Sequence, residues 1–292
     1  MAGDLKFGPV GLDSTFEVLT GQLGTKKLPN LPNRIIGPSL VIHKGTILLC
    51  GGRFTCFALD EDCTWKEHSK LNLERYGHSL ATTTQTATFI FGSVGSPKTY
   101  EYLPTDSKTW LLGKKEIPEG FYNGCVVTVR SEQEIWLIGG SRTNKRILSF
   151  SVKDQTFQVL PYQLNTGRER HTCAYIPHTK KIMIAGGIQR GPVYRCKYLG
   201  STEIIDTEDG SISMASPLNF KRADHGTGVV TIDGEDRVAV FGGRSGGRTK
   251  LDSVEVYNAK TGKWEIISTK LNQPNYLFGC LSVKLSDIIS KL

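Results

Sequence analysis

The run Arg222–Ser268, RADHGTGVVTIDGEDRVAVFGGRSGGRTKLDSVEVYNAKTGKWEIIS, decides how this chain folds. GTGVVTI is rich in β-branched residues and predicts an innermost strand. The turn Asp233-Gly234-Glu235-Asp236 leads into a second apolar strand, RVAVF, which ends on Gly242-Gly243. Glycine accepts backbone angles that a Cβ resists, so the strand stops there and the chain turns. After the loop RSGGRTK, LDSVEVYN alternates apolar and polar residues as a half-buried strand does. Asn258-Ala259-Lys260-Thr261-Gly262 reads as a hairpin turn, and Trp264 then opens the outer strand KWEIIS. Four short strands with no helical period describe one blade of a propeller.

The same punctuation recurs upstream in ILLCGG (Ile47–Gly52), TFIFGS (Thr88–Ser93), IWLIGG (Ile135–Gly140) and IMIAGG (Ile182–Gly187). The interval of roughly 40 to 55 residues is that of propeller blades, not of helical repeats. Arg75-Tyr76-Gly77-His78 and Arg168-Glu169-Arg170-His171 match Arg222 to His225. Outer-strand aromatics return as Trp65, Trp110 and Phe157. The fourth repeat departs, with Ile212 at the aromatic place and the insertion IQRGPVYRCKYLG after its glycines. Tyr100, Tyr102, Phe150 and Tyr257 fall on third strands, where large rings are expected to fill the space between blades.

Diglycine after strand two, tyrosine on strand three, and a turn with tryptophan on strand four resemble the kelch repeat, over nearly the whole chain. The resemblance implies an all-β fold, a six-bladed β-propeller of four-stranded antiparallel blades. The blades are expected near residues 37–75, 76–120, 121–169, 170–222 and 223–275, with the last built from 276–292 plus 1–36. At one end Phe278-Gly279-Cys280-Leu281-Ser282-Val283 copies a first strand. At the other, Gly11 to Leu19 parallels the strand from Leu251 to Tyr257, so both termini are expected to close the ring and remove exposed sheet edges. No residues remain for a BTB or other partner domain.

Composition narrows the function classes. The 292 residues are 38% hydrophobic, enough for one large core. Net charge is +8, yet Lys and Arg are spread along the chain without the runs of a nucleic-acid arm, so no nucleic acid is expected. No apolar stretch reaches membrane-spanning length, and MAGDLKFGPV lacks the pattern of a signal peptide. The seven cysteines include no C-x-x-C. Cys125, Cys173 and Cys280 hold equivalent places in three repeats, which reads as free, small apolar core residues in a reducing compartment, cytoplasmic or nuclear. A monomer is the favoured state.

The chemical motifs are few. His78, His171 and His225 recur at one place per repeat, but Pro38, Asn123 and Phe278 replace them elsewhere, so turn and packing roles are expected and no metal. GGRSGGRT (Gly242–Thr249) has the look of a phosphate loop, yet a strand follows it where a helix is needed. No G-x-S-x-G elbow or carboxylate pair suggests catalysis, and no cofactor is expected.

In kelch-like propellers the loops after the diglycines and those leading into the first strands share one side of the ring, which commonly receives a protein segment. On this chain the former carry Arg53, Ser141, Arg142, Ile188 and Arg244. The latter carry Arg75, Tyr76, Phe121, Tyr122, Arg168, Glu169, Arg222 and Tyr276. Arginines among aromatics suit an acidic, extended partner segment, since guanidinium groups grip carboxylates while rings cover apolar atoms. The alternative for Arg75, Arg168 and Arg222 is that they brace loops. The inserted loop Gln189 to Leu199, with Arg190, Tyr194, Arg195, Lys197 and Tyr198, is a separate candidate contact. The expected function is a non-enzymatic protein-interaction module, an adaptor or scaffold. The alternatives are a carbohydrate- or small-molecule-acting propeller enzyme, epimerase-like, and an actin-associated protein.

Overall fold

A computed structural model describes residues 4–8, 16–20, 24–28, 35, 37–60, 62, 64–77, 79–83, 85–140, 145–191, 196–247, 249–276 and 281–284. For 4–8, 16–20, 24–28, 79–83 and 281–284 it describes the backbone. Among the described residues the chain is almost entirely strand and turn, with one short 3-10 turn at Pro177–Thr179. No helix there is long and apolar enough to cross a membrane.

Five successive stretches each fold into a four-stranded antiparallel sheet in simple strand order. Blade 1 is Ser39–His43, Thr46–Cys50, Thr55–Leu59 and Trp65–Lys70. Blade 2 is Ser79–Thr83, Ala87–Phe91, Tyr100–Pro104 and Leu111–Leu112. Blade 3 is Cys125–Val129, Glu134–Ile138, Arg146–Ser151 and Thr156–Gln163. Blade 4 is Thr172–Ile176, Lys181–Ala185, Thr202–Asp206 and Ile212–Ala215. Blade 5 is Gly226–Ile232, Glu235–Phe241, Ser253–Asn258 and Lys263–Lys270. Blades 4 and 5 each add a small hairpin beyond their glycine pair, Ile188–Arg190 with Cys196–Tyr198 and Arg244–Gly246 with Thr249–Lys250.

The strands at the two ends of the chain pair with each other. Leu281–Lys284 lies antiparallel to Asp4–Gly8, which continues to Phe16–Thr20 and Gly24–Leu28. This terminal sheet stands beside blade 5, with Leu281–Lys284 against the first strand and Gly24–Leu28 against the fourth. The first strands of blades 1 to 5 likewise neighbour one another in chain order, so the sheets radiate from a common centre. An all-β propeller of antiparallel blades is therefore the architecture. Five such blades are described, where six were expected from the repeats.

Burial follows position within the blade. The second strands ATFIF, EIWLI and KIMIA are buried almost throughout, because both faces meet a neighbouring blade. The fourth strands of blades 3 and 5 alternate, as expected at the rim. Between blades 2 and 3 the core is aromatic: Phe89, Phe91, Tyr100 and Phe150 are fully buried, and Tyr100 meets Phe150 edge-on at 5.1 Å. Trp110 donates its indole N–H to Ser69 of blade 1 at 3.0 Å, so an outer-strand tryptophan ties one blade to the one before it.

The glycines of the four pairs that close a second strand take positive φ, as does Gly92 in the near copy. Gly92 is the most constrained: a Cβ there would stand 1.7 Å from the Phe121 carbonyl oxygen. The cysteines correct one expectation. Cys125 and Cys173 are buried as foreseen, but they are joined in a disulfide across the first strands of blades 3 and 4. Equivalent places on adjacent inner strands lie 5.9 Å apart at Cα, within the span such a bond requires. Cys50 and Cys56 pair across a hairpin of blade 1, and Cys196 is free and exposed.

Candidate functional site

The sequence Leu-Asn-x-x-Arg appears before three blades, and it builds the loop face. Arg75, Arg168 and Arg222 are completely buried, each paired with a buried glutamate on the third strand of the blade that follows. The partners are Glu101 at 3.0 Å, Glu203 at 2.6 Å and Glu255 at 2.5 Å. Each arginine also donates to the carbonyl of the first glycine in its blade: Gly92, Gly186 and Gly242. Each glutamate accepts in addition from the backbone N–H of Asn72, Asn165 or Asn219. In the opposite direction, the carbonyls of these arginines take an N–H from the preceding blade's second glycine, Gly52, Gly140 or Gly187. Burial lowers the pKa of all three guanidinium groups and the glutamates oppose it. An arginine remains charged under such pressure.

Arg75, Arg168 and Arg222 are thus corrected from candidate ligand contacts to staples between blades. Their recurrence reflects one joint used before blades 2, 4 and 5. Phe121 occupies the same place before blade 3 and is also fully buried, so it too leaves the candidate surface. Ile188, the first residue of the blade 4 hairpin, is buried.

Two residues beyond the staple position, the backbone turns left-handed before each of blades 2 to 5. Gly77, Asn123, Arg170 and Asp224 have φ of 54°, 55°, 57° and 52°. Asn123 donates its N–H to Gly77, Arg170 to Asn123, and Asp224 to Arg170, at 3.0, 2.6 and 3.0 Å. This chain of bonds runs from blade to blade around the centre. A left-handed residue carrying a side chain is uncommon; three of these four bonded residues, which stand at the mouth where the first strands converge, carry one.

On the side of blades 4 and 5 the mouth is charged. Asp224, with its side chain 5% exposed, accepts from Arg170 at 3.3 Å and from Arg244 Nε at 2.7 Å. Glu169, equally enclosed, accepts from Arg190 Nε at 2.7 Å. Arg244 lies over the rings of Tyr276 at 5.3 Å and Tyr198 at 5.9 Å, and Lys250 stands 5.5 Å from Tyr276. Burial works against the Arg244 charge, but Asp224, Tyr198 and Tyr276 outweigh it and raise its pKa. Glu169 raises that of Arg190 in the same way. The Nη1 and Nη2 hydrogens of Arg244 have no partner among the described residues. The guanidinium is held on one edge by a carboxylate and flanked by two rings, with its other edge open. That geometry fits a second carboxylate or another planar oxyanion.

On the side of blades 1 and 2 the same face carries exposed Arg53 and Tyr76, while Tyr122 of blade 3 is half-buried. Arg244 with Tyr276 and Tyr198, and Glu169 with Arg190, are therefore sequence-predicted residues that the fold brings into contact. Ser141 and Arg142 lie outside the described residues, as do His78, Arg248, Tyr194 and Arg195. Arg170 and Asp224 were not singled out as contacts, although the sequence carried a signal. They are the variable residue inside an otherwise repeating box, where blade 2 has Gly77.

His171 and His225 pack under the glycine pairs and are 4% exposed. His225 Nε2 meets Thr172 Oγ1 at 2.9 Å, whereas neither nitrogen of His171 has a hydrogen-bond partner. Burial, then the Arg168 charge, takes the His171 pKa down to about 3, and burial, then Arg222, takes that of His225 well below its usual value. Among the described residues no group of three His, Cys, Asp or Glu stands where it could hold a metal ion.

Residues 225–271, which make up blade 5, match the Kelch motif. No curated protein sequence matches the chain significantly. Among solved structures, that of YjhT superposes with a TM-score of 0.71 over 87% of this chain and 91% of the other, at 12% sequence identity. That likeness is one of fold.

Proposed function

We propose that this chain is a non-enzymatic protein-interaction module that receives an acidic, extended segment of a partner protein on its loop face. The observation that carries the reading is Arg244, braced by Asp224, flanked by Tyr198 and Tyr276, and open along its Nη edge. Arg170, Arg190 and Lys250 add to a local excess of positive charge over Glu169 and Asp224. Aromatic residues and arginine are the types that dominate recognition surfaces. An adaptor or scaffold role follows if a second protein joins elsewhere on the ring. We further propose that the terminal sheet is a sixth blade, and that residues 276–292 and 1–36 close the ring. Slow amide hydrogen exchange in Asp4–Gly8 is the expected sign of closure.

A peptide array tests the binding reading, with acidic sequences set beside copies in which Asp and Glu become Asn and Gln. The protein is expected to retain the acidic set only, and Arg190→Glu with Arg244→Glu to weaken that binding at least about tenfold. Binding indifferent to both changes contradicts the proposal.

A further inference from the structure

The loop face carries a second feature that the acidic-segment reading leaves unused. Phe54, Tyr76 and Val94 are 45%, 41% and 45% exposed. Among the other exposed large apolar residues described, Leu111, Leu112, Val159, Met214 and Ile266 sit on outer strands of separate blades, and Phe220 stands in the segment leading into blade 5. These three instead belong to neighbouring loops of blades 1 and 2. Val94 donates its N–H to the Tyr76 carbonyl at 3.2 Å, and a Cβ on Gly77 would come within 2.9 Å of Val94 Cγ2. Gly95 lies under the Tyr76 hydroxyl, 3.7 Å from where its own Cβ would be. The Arg53 carbonyl takes the Arg75 N–H, so Phe54 and Tyr76 each stand one residue beyond a shared hydrogen bond.

We infer that the partner segment is bipartite, with a carboxylate side chain on Arg244 and a bulky apolar side chain on the Phe54–Tyr76–Val94 patch. The inference rests on the proposed function and specifies its ligand. A continuous path joins the two subsites, because Tyr76 precedes Gly77, and Gly77, Asn123, Arg170 and Asp224 are bonded in series. Three such steps of about 5 Å, curved around the mouth, cover about 10–15 Å, or about three to five residues of extended chain. The two ends are chemically unlike: a basic arc on blades 4 and 5 faces an apolar one on blades 1 and 2. An extended peptide with an acid at one end and an aromatic or aliphatic residue at the other complements both. A uniformly acidic segment would leave the three apolar side chains uncovered.

Selection of a phage-displayed random peptide library on the full chain tests the inference. The expected pool carries an acid and, about three to five positions away, an aromatic or large aliphatic residue. Selection on Phe54→Ser with Val94→Ser is expected to keep the acid and lose the apolar preference. A peptide selected on the unaltered chain then binds the double variant about tenfold to a hundredfold more weakly. Tyr76→Ser, made separately, gives the same loss in a different local setting. An acid without any apolar preference, or the same sequences selected on the variants, overturns the bipartite ligand and leaves the proposed function standing. A pool without acid enrichment overturns both.

Discussion

Arg222 and Arg244 flank the same blade and carry the same group, yet one never meets solvent and the other keeps 24% of its side chain exposed on the loop face. Arg222 is bonded to Glu255 and to the Gly242 and Ser253 carbonyls, all fixed parts of its own blade. Arg244 shares Asp224 with Arg170, and its Nη hydrogens have no partner among the described residues. The first arrangement uses an ion pair to set the position of a backbone. The second holds a charge ready for something from outside. Repetition along the chain separates the two classes: the staple returns as Arg75, Arg168 and Arg222, while the mouth changes from Gly77 to Asn123, Arg170 and Asp224.

The largest expected effect breaks a staple. Arg222→Ala leaves Glu255 buried without its countercharge, and about 3–5 kcal/mol of unfolding free energy is expected to be lost in urea titrations. Replacing both partners, Arg222→Met with Glu255→Leu, is expected to recover most of that loss, since an apolar pair needs no charge compensation. A double variant as unstable as the single one would mean that the bonds to Gly242 and Ser253, not the pair, carry the joint.

Reduction of the cystines sharpens the contrast between blade-to-blade ties. Cys125–Cys173 closes a long loop, and reducing it is expected to lower stability by about 2–4 kcal/mol. The check is chemical unfolding with and without a reductant. Thiol titration of the denatured, unreduced chain shows whether Cys125 and Cys173 stay protected.

Acid acts next, through the histidines beneath the glycine pairs. His171 is held neutral, with its pKa near about 3, and His225 is depressed in the same direction. The unfolded chain takes up these protons near about pH 6.5 and the folded chain does not. Their stabilisation is therefore complete above about pH 6.5 and drains as pH falls, for His171 by about 2 kcal/mol at about pH 5. His171→Gln is expected to flatten the fall in melting temperature between neutral and acid pH. An unchanged slope would remove His171 from the account.

Much of the architecture could be read from the chain because its physical causes are local. A β-branched run that stops at a glycine pair needs no tertiary information to be recognised, and the third-strand rings at Tyr100 and Phe150 fill the inter-blade space as their size requires. The staples were harder. Arg75, Arg168 and Arg222 look like surface residues until Glu101, Glu203 and Glu255, 26 to 35 positions further on, arrive beside them. The Cys125–Cys173 bond likewise depends on how closely adjacent inner strands approach. At the mouth, Arg244 and Tyr276 could be placed from repeat position alone. Of the residues that orient Arg244, Asp224 is the variable position of a left-handed turn that itself repeats, and Tyr198 comes from an inserted hairpin that breaks the repeat.

The smallest expected effect on stability is at Arg244. Its removal leaves Asp224 bonded to Arg170, and the partly exposed pair it breaks is worth about 1 kcal/mol or less. Urea unfolding of Arg222→Ala and Arg244→Ala side by side therefore tests the two-class account most directly. A midpoint that falls sharply for Arg222→Ala and barely moves for Arg244→Ala is the outcome it requires. Equal losses, or a larger one at Arg244, would contradict it.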